Sequence, residues 1–264
     1  MIELYHADGS VCAQKVRFAL ALKRIPWVSH RMNLDESVQY APEYLKLNPK
    51  AVVPTLVHDG LVIRESTVIC EYLEDVFPES SLRPENFHAR AEMRRWAKIP
   101  DDEIHVACGF ISQAGLLRQG RFANPAAYYE RIAKDPNRKR ADRNKRMFEL
   151  GFKDPDAQAG LIVHAKLLKE MHATLGDGRP WLIGDSITLA DVGLAPYVNR
   201  LYVSGLAPMW DDKSTIGDWF RRIKALPAFG ESFSSFTPRY GNEPVGEGVW
   251  PEVRPVLEAS EPTF

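Results

Sequence analysis

The fold of this chain is decided by a stretch in its first quarter, which reads Lys50-Ala51-Val52-Val53-Pro54-Thr55-Leu56-Val57-His58-Asp59-Gly60-Leu61-Val62-Ile63-Arg64-Glu65-Ser66. Two short apolar runs rich in β-branched residues flank Asp59-Gly60, a pair that strongly favours a β-hairpin. Pro54 cannot donate a hydrogen bond to a sheet, so the first strand starts at Pro54 or lies at a sheet edge. Glu65 and Ser66 then form a polar pair that caps a new helix.

This arrangement predicts a site for a peptide-like ligand. The backbone of Val53 and Pro54 stays out of the strand ladder, and a helix N-terminus is suited to face a carboxylate. A proline would otherwise disrupt a strand here, and cis peptide bonds are rare except before proline. We therefore predict that the Val53-Pro54 bond is cis.

The composition excludes several classes of protein. A length of 264 residues allows one large or two ordinary domains, and a formal net charge of -1 gives no field that attracts nucleic acid or acidic membranes. Cys12, Cys70 and Cys108 lack metal-ligand spacing, so we predict no metal site and no disulfide framework. The N-terminus is typical of a first strand, and no apolar run is long enough to cross a bilayer. These features predict a cytoplasmic protein.

The hydrophobic periodicity predicts the order β-α-β-α-β-β-α in the first part of the chain. Beyond a linker rich in Pro, Ser and Glu the strand signals stop, which marks a change from a mixed α/β domain to an all-α domain. Strands are predicted at 2–6, at 28–33 and in the hairpin, and helices at 12–24, 42–47, 66–77, 89–104, 159–175 and 218–226. The predicted domains are 1–80, with a linker at 81–88, then 89–231 and a tail at 232–264.

Two segments depart from a compact helical domain. Residues 115–156 contain several Asn-Pro or Asp-Pro pairs and a basic run from Arg138, and they predict a solvated helix or a long loop. No stacking aromatics accompany the charges, so a nucleic-acid surface is not favoured. The tail is rich in Pro and Gly, and is either disordered or wrapped over the body. Its candidate anchors are Phe233, Phe236, Tyr240 and Trp250.

A capping box is predicted where the helical pattern resumes, in Gly184-Asp185-Ser186-Ile187-Thr188-Leu189-Ala190-Asp191-Val192. The side chain of Thr188 caps the amide of Asp191, and the Asp191 carboxylate reaches back to the amide of Thr188. This motif serves folding rather than catalysis.

The hairpin stretch resembles the glutathione-binding core of the cytosolic glutathione transferase superfamily, with matches at Val53, Pro54, Glu65 and Ser66. In that family the valine before a cis-proline pairs with the cysteinyl backbone of glutathione, and the Glu/Gln-Ser pair holds its γ-glutamyl end. The resemblance implies a thioredoxin-like α/β domain followed by an all-α domain. It also implies glutathione as co-substrate and a homodimer active in detoxification or aromatic catabolism. A small hydrophobic, aromatic electrophile would bind between the domains.

Ser10 and Cys12 are the candidate catalytic residues. Ser10 lies between the first strand and the first helix, and it occupies the position of the catalytic serine in serine-type transferases. A hydrogen bond from its hydroxyl to the glutathione sulfur would favour the thiolate and lower the thiol pKa. Cys12 in the first helical turn is the rival, since the Ser-x-Cys spacing resembles zeta-class isomerases and tetrachlorohydroquinone reductive dehalogenases. Otherwise Ser10 is a helix cap and Cys12 a small buried side chain.

Other roles stay open at this stage. The positions that usually hold the glycine carboxylate of glutathione are Ala51 and Val52 here, which leaves Lys50, Gln39 and Lys46 as three candidates. The residues from 65 to 79 also resemble bacterial β-etherases that cleave lignin-derived aryl ethers. Trp96, His105 and Phe110 are either core or substrate wall. A non-catalytic binding module with the same fold is the alternative from another functional class.

Overall fold

A computed structural model describes residues 1–211, 213–236 and 249–260 of the chain. It contains four strands in one sheet: β1 (Ile2–His6), β2 (Trp27–Arg31), β3 (Thr55–His58) and β4 (Leu61–Arg64). The α-helices described are α1 (Val11–Leu22), α2 (Pro42–Leu47), α3 (Ser66–Val76), α4 (Phe87–Ile99), α5 (His105–Ala114), α6 (Leu116–Arg121), α7 (Pro125–Ala133), α8 (Arg138–Leu150), α9 (Pro155–Leu175), α10 (Leu189–Val203), α11 (Ser214–Ala225), α12 (Pro227–Ser232) and α13 (Trp250–Ala259).

The sheet has the strand order β2-β1-β3-β4, with β1 parallel to β2 and the other neighbours antiparallel. The order of strands and α-helices along this part of the chain, β1-α1-β2-α2-β3-β4-α3, is the predicted one. Asp59 and Gly60 form a two-residue hairpin turn with positive φ angles of 49° and 85°, as such a turn requires. Because β3 is internal, Pro54 lies just ahead of the strand rather than within it, where its missing N–H costs no ladder bond.

The chain divides into two compact units. Among the described residues, the first unit contains 1–100, 178–196 and 218–236, and the second contains 101–177, 197–211, 213–217 and 249–260. The first unit therefore combines the sheet with helical segments far along the chain. The linear boundaries near residues 80 and 88 reflect the change from mixed to helical structure, and they stay a prediction.

In the first unit, α1 packs against both α3 and α12. Two buried cations on α1 and a third at its C-cap have defined partners, which a buried charge requires. Lys15 bonds the hydroxyl of Thr67 at 2.9 Å, and Lys23 pairs with Glu74 at 2.7 Å. The other cation on α1, Arg17, donates to the carbonyl oxygens of Ala7 and Asp8.

The capping box forms around a fully buried carboxylate. Asp191 accepts the Thr188 N–H at 2.9 Å, as predicted, but the Thr188 hydroxyl caps Ala190 rather than Asp191. The carboxylate also accepts the N–H of Leu182 at 3.0 Å and the indole N–H of Trp219 at 2.8 Å. Burial raises the pKa of Asp191, while its hydrogen bonds oppose that shift. The Asp191 carboxylate thus joins the segments that carry Leu182, Thr188 and Trp219, which the sequence pattern did not predict.

In the second unit, residues 115–156 contain three helices, α6 to α8, so the expected single helix or long loop is wrong. Two of the three Asn-Pro or Asp-Pro pairs are helix starts here. Asn124 caps α7 and Asp154 caps α9, and each is followed by a proline at the first helical position. Proline is favoured there because its missing N–H has no intrahelical acceptor in any case.

The helices α5 and α9 approach each other closely at Gly160, where an added Cβ would lie 3.0 Å from the Ala107 carbonyl oxygen. His164 is buried on the same helix and donates its Nδ1–H to the Gly160 carbonyl at 2.8 Å. Burial lowers the pKa of His164 to about 4, so the ring is neutral at physiological pH.

Several details differ from the sequence-based expectations. The predicted helix over 89–104 ends at Ile99, because Pro100 begins a π-helical turn through Ile104. In the tail, Phe233 is buried and Phe236 packs on Arg17, whereas Tyr240 lies outside the described residues. Across 1–211, 213–236 and 249–260, no helix is long and apolar enough to cross a membrane.

Candidate functional site

The sheet register brings the candidate residues to one edge. The last β1–β3 pair joins Tyr5 to Thr55, and the last β3–β4 pair joins Thr55 to Arg64. Continuing both registers by two residues places Val53 between Ala7 on one side and Ser66 on the other. Ala7 and Val53 do pack in the same buried cluster. The end of β1, the start of β3 and the start of α3 therefore meet at this edge.

The Val53-Pro54 peptide bond is cis, as predicted. The carbonyl just before it is held firmly: the Val52 oxygen accepts the Tyr44 hydroxyl at 2.6 Å and the Asn48 side-chain amide at 2.9 Å. Both groups also contact the Thr55 hydroxyl, at 2.9 and 3.1 Å. Burial raises the pKa of Tyr44, so its hydroxyl stays protonated and can donate. This network fixes the backbone that enters the Val-Pro step.

Ser66 is the buried first residue of α3, and Glu65 precedes it with a φ of 65°. That conformation costs a non-glycine residue about 1–3 kcal/mol and is found preferentially at ligand sites. The Glu65 carboxylate lies 2.6 Å from the Lys50 ammonium, and both side chains are exposed. Since such a surface pair adds about 0–1 kcal/mol of stability, its position matters more than its strength. The free N–H groups at the start of α3 favour an anion.

Ser10 is the N-cap of α1, and its Oγ accepts the Ala13 N–H at 3.3 Å. A hydroxyl has one donor and two acceptor positions, so the cap leaves its O–H able to donate. Cys12 is the second residue of α1, half-buried and outside any disulfide. Ser10 caps α1 and Cys12 lies in its first turn, so both candidates are at the helix N-terminus, where the helix dipole favours negative charge.

Behind the Ser10 turn lies a buried pair, His6 and Arg17. An Arg17 N–H contacts His6 Nδ1 at 3.1 Å, and His6 Nε2 lies 2.8 Å from the Ser29 hydroxyl. Because a guanidinium only donates, Nδ1 must accept and the proton of the neutral ring is on Nε2. Burial, together with the charge of Arg17, lowers the pKa of His6 to about 3.

Comparison with known proteins decides the family. The description "Glutathione S-transferase, N-terminal domain" matches residues 4–81, and "Glutathione S-transferase, C-terminal domain" matches residues 139–227. Protein LigF of Sphingobium sp. (strain NBRC 103272 / SYK-6) is 33% identical over 202 residues, which cover 74% of this chain and 78% of LigF. The chain belongs to the glutathione S-transferase family. It is an enzyme of that family, with glutathione as co-substrate.

Further matches agree with this assignment. Glutathione S-transferase 1 of Dianthus caryophyllus is 30% identical over 197 residues, covering 75% of this chain and 76% of the relative. The crystal structure of the beta-etherase LigF from Sphingobium sp. strain SYK-6 superposes with a TM-score of 0.76 at 29% identity, covering 89% of this chain and 99% of LigF. The predicted fold, a thioredoxin-like domain followed by an all-α domain, is confirmed.

The three candidates for the glycine carboxylate of glutathione differ in environment. Lys50 is engaged with Glu65, and Lys46 is exposed on α2. Gln39 carries a buried Oε1 that has no hydrogen-bond partner among the described residues. A role for any of the three in binding the glycine carboxylate therefore stays a proposal.

The three aromatic candidates of the helical region lie in different environments. Trp96 is 1% exposed and belongs to the core, so it is not a substrate wall. His105 is exposed and packs edge-on against Tyr197 at 6.3 Å between ring centroids. Phe110 is half-buried, with the Arg143 guanidinium 4.7 Å from its ring centre.

The sequence patterns do not identify the residues that support the backbone of this site. Tyr44 and Asn48 fix the carbonyl of Val52, and Arg17 contacts the turn that carries Ser10. Asn48-Pro49 gives only a local turn signal, and the α1 pattern gives no reason to bury an arginine. These roles depend on contacts between distant segments.

Proposed function

We propose that Ser10 activates the thiol of glutathione in this transferase by donating a hydrogen bond to the sulfur. The observation that carries the proposal is the capping geometry of Ser10, whose Oγ accepts the Ala13 N–H at 3.3 Å. That contact holds the oxygen in place and keeps the O–H available as a donor. Stabilising the thiolate lowers the pKa of the bound thiol from its ordinary value of about 8.5.

The other candidates hold the tripeptide. The backbone of Val53 pairs with the cysteinyl unit of glutathione at the edge where β1, β3 and α3 meet. Ser66 and the start of α3 bind the γ-glutamyl carboxylate, while the Glu65 carboxylate binds the α-amino group. Lys50, which pairs with Glu65 at 2.6 Å, is one of three candidates for binding the glycine carboxylate, with Gln39 and Lys46.

The thiolate attacks a carbon atom of a small hydrophobic, aromatic electrophile. A carbon–sulfur bond forms, the bond to the leaving group breaks, and the leaving group departs with the electron pair. The likeness to LigF, a beta-etherase, supports an aromatic ether as the substrate class. In that case glutathione and the ether yield a glutathione thioether and a phenol, with the thiol proton transferred to the phenolate.

The second candidate mechanism uses Cys12 as a redox nucleophile. Its position in the first turn of α1, half-buried and outside any disulfide, favours this alternative. The glutathione thiolate would first displace a halide ion and form a glutathionyl substrate. The Cys12 thiolate would then attack the sulfur of this thioether, so that the carbon–sulfur bond breaks, the carbon takes up a proton, and a mixed disulfide forms between Cys12 and glutathione. A second glutathione would then reduce that disulfide.

Variants at the two positions separate these mechanisms. Ser10→Ala should raise the pKa of bound glutathione and lower kcat/KM by about ten- to hundredfold, the value of one charge-assisted hydrogen bond. Ser10→Thr keeps the hydroxyl and the cap, so it should retain most activity. Cys12→Ser should change kcat/KM little. Full activity of Ser10→Ala would refute the proposal, and a reductant-sensitive glutathione adduct on Cys12 would favour the alternative.

The substrate class is tested separately. Purified enzyme with glutathione should be incubated with an aryl ether, an aryl halide and a halogenated hydroquinone, and the products identified by mass spectrometry. Release of a phenol with formation of the matching thioether would support ether cleavage. Turnover of the hydroquinone alone would contradict it.

We also propose that the enzyme is a homodimer in the cytoplasm. Large apolar side chains that are exposed on the first unit would lose contact with water if they lie in a subunit interface. They include Val52, Leu61, Val68 and Phe87. The three cysteines, none of them in a disulfide, support a reducing compartment.

A further inference from the structure

Arg17 is a buried cation whose hydrogen bonds converge on the turn before Ser10. The residue is 1% exposed. Its Nη1 donates to the carbonyl of Ala7 at 3.2 Å, and its Nη2 donates to the carbonyl of Asp8 at 3.0 Å. Its Nε donates to the carbonyl of Ser232 at 2.8 Å. One side chain therefore joins the β1–α1 turn to the end of α12.

The β1–α1 turn is closed by a hydrogen bond to the Ala7 carbonyl oxygen, which Arg17 also contacts. The Ser10 N–H donates to the Ala7 carbonyl oxygen at 3.2 Å, so this oxygen accepts from both Ser10 and Arg17. At the other end, the Ser10 carbonyl accepts the Gln14 N–H at 2.8 Å as α1 begins. The position of the Ser10 hydroxyl thus depends on a backbone segment whose two preceding carbonyls are held by Arg17.

The surroundings of Arg17 explain why it remains in place. The ring of Phe236 covers the guanidinium at 4.4 Å, and His6 faces it as a neutral acceptor. The nearby Asp8 carboxylate is bound by Arg31 instead. Burial lowers the pKa of Arg17 to about 9, so the group is still a cation at neutral pH.

We propose that Arg17 is a positioning residue for Ser10, fixing the turn of residues 7–10 so that the hydroxyl meets the glutathione sulfur. The inference rests on the proposed role of Ser10. Through the carbonyl of Ser232 and the ring of Phe236, Arg17 makes the end of α12 part of the support for the catalytic turn. Its removal affects the thiol pKa without removing any group that touches glutathione.

The test is a double-mutant cycle between Arg17→Lys and Ser10→Ala in the full chain. The thiol pKa is read from the ultraviolet absorbance of the bound thiolate, and kcat/KM from initial rates. Lysine keeps the charge but cannot span three carbonyls. Arg17→Lys should raise the thiol pKa and lower kcat/KM by about three- to tenfold, which is less than the effect of Ser10→Ala. In the Ser10→Ala background it should have little further effect, because the effects of residues that act through one group do not add.

Two further variants keep the test decisive. Phe236→Leu uncovers the guanidinium and should shift the thiol pKa in the same direction, which tests the idea even if Arg17→Lys fails to fold. Lys23→Met removes another buried cation, at the C-cap of α1, that contacts Glu74 rather than the Ser10 turn. It should lower the melting temperature and leave the thiol pKa unchanged.

The outcomes separate the two proposals. If Ser10→Ala itself leaves the thiol pKa unchanged, the role of Ser10 fails. If Ser10→Ala raises that pKa but folded Arg17→Lys and Phe236→Leu do not, the positioning role of Arg17 is overturned. Losses of kcat/KM that add fully in the double variant would also overturn it.

Discussion

Replacing Asp191 with alanine should destabilise the transferase strongly and leave its chemistry intact. The carboxylate is fully buried and accepts hydrogen bonds from three places in the chain: the Leu182 N–H, the Thr188 N–H with its hydroxyl, and the Trp219 indole N–H. Alanine removes the acceptor and leaves these donors in a dry environment. The hydroxyl of Thr188 can rotate to another acceptor, but the other three donors are fixed.

The size of the loss follows from those three donors. Each buried donor left without an acceptor costs about 1–3 kcal/mol, so Asp191→Ala should lower the free energy of unfolding by at least about 3 kcal/mol. Asp191→Asn keeps one acceptor oxygen but turns an NH₂ group toward the remaining donors, and its loss should be intermediate. Trp219→Phe removes a single donor and should cost less than Asp191→Ala.

Urea unfolding followed by far-ultraviolet circular dichroism measures these changes. Asp185→Ala is the matched control, because this carboxylate lies in the same segment but is exposed, and it should change stability by less than about 0.5 kcal/mol. The cost of Trp219→Phe should be smaller in the Asp191→Ala background than in the wild type. A loss below about 1 kcal/mol in Asp191→Ala, or full additivity with Trp219→Phe, would refute the reasoning. So would a lower kcat per folded molecule.

Two other predictions concern affinity and pH. Tyr44→Phe removes the 2.6 Å hydrogen bond to the Val52 carbonyl. It should raise the KM for glutathione by up to about tenfold, with kcat little changed. Initial rates at varied glutathione concentration measure both constants, and an unchanged KM would contradict this prediction. His164 is neutral in the folded protein, with a pKa lowered to about 4, but protonates near pH 6.5 when unfolded. Because only the unfolded state takes up this proton, the free energy of unfolding decreases as the pH falls below 6.5, and at pH 5 it is lower by about 2 kcal/mol. His164→Leu should remove that part of the acid sensitivity, and identical unfolding curves at pH 5 and 7.5 for the wild type would disprove the idea.

Much of the site was predictable because its signals are local. The hairpin at Asp59-Gly60 follows from two residues that tolerate positive φ, and the cis bond follows from a proline at the edge of an apolar run. Ser10 at the start of α1 is a helix cap by residue type, and the cap is observed. Each of these features depends on neighbours only a few positions away.

The Asn-Pro and Asp-Pro pairs in residues 115–156 are a local signal with two interpretations. As chain breakers they predict a loop, whereas Asn124 and Asp154 cap helices whose first residue is proline. Both interpretations use the same chemistry, since proline cannot donate a hydrogen bond. Only the helical pattern on the C-terminal side distinguishes a break from a start.

The sequence by itself determined the hairpin at Asp59-Gly60, the Val53-Pro54 step and the polar pair Glu65-Ser66, because each is written in adjacent residues. The tertiary structure alone decided what supports them. Arg17 reaches the carbonyl of Ser232, 215 positions away, and no periodicity or spacing encodes such a contact. A buried cation must find acceptors wherever the packed chain supplies them, so its partners are fixed only when distant segments are brought together.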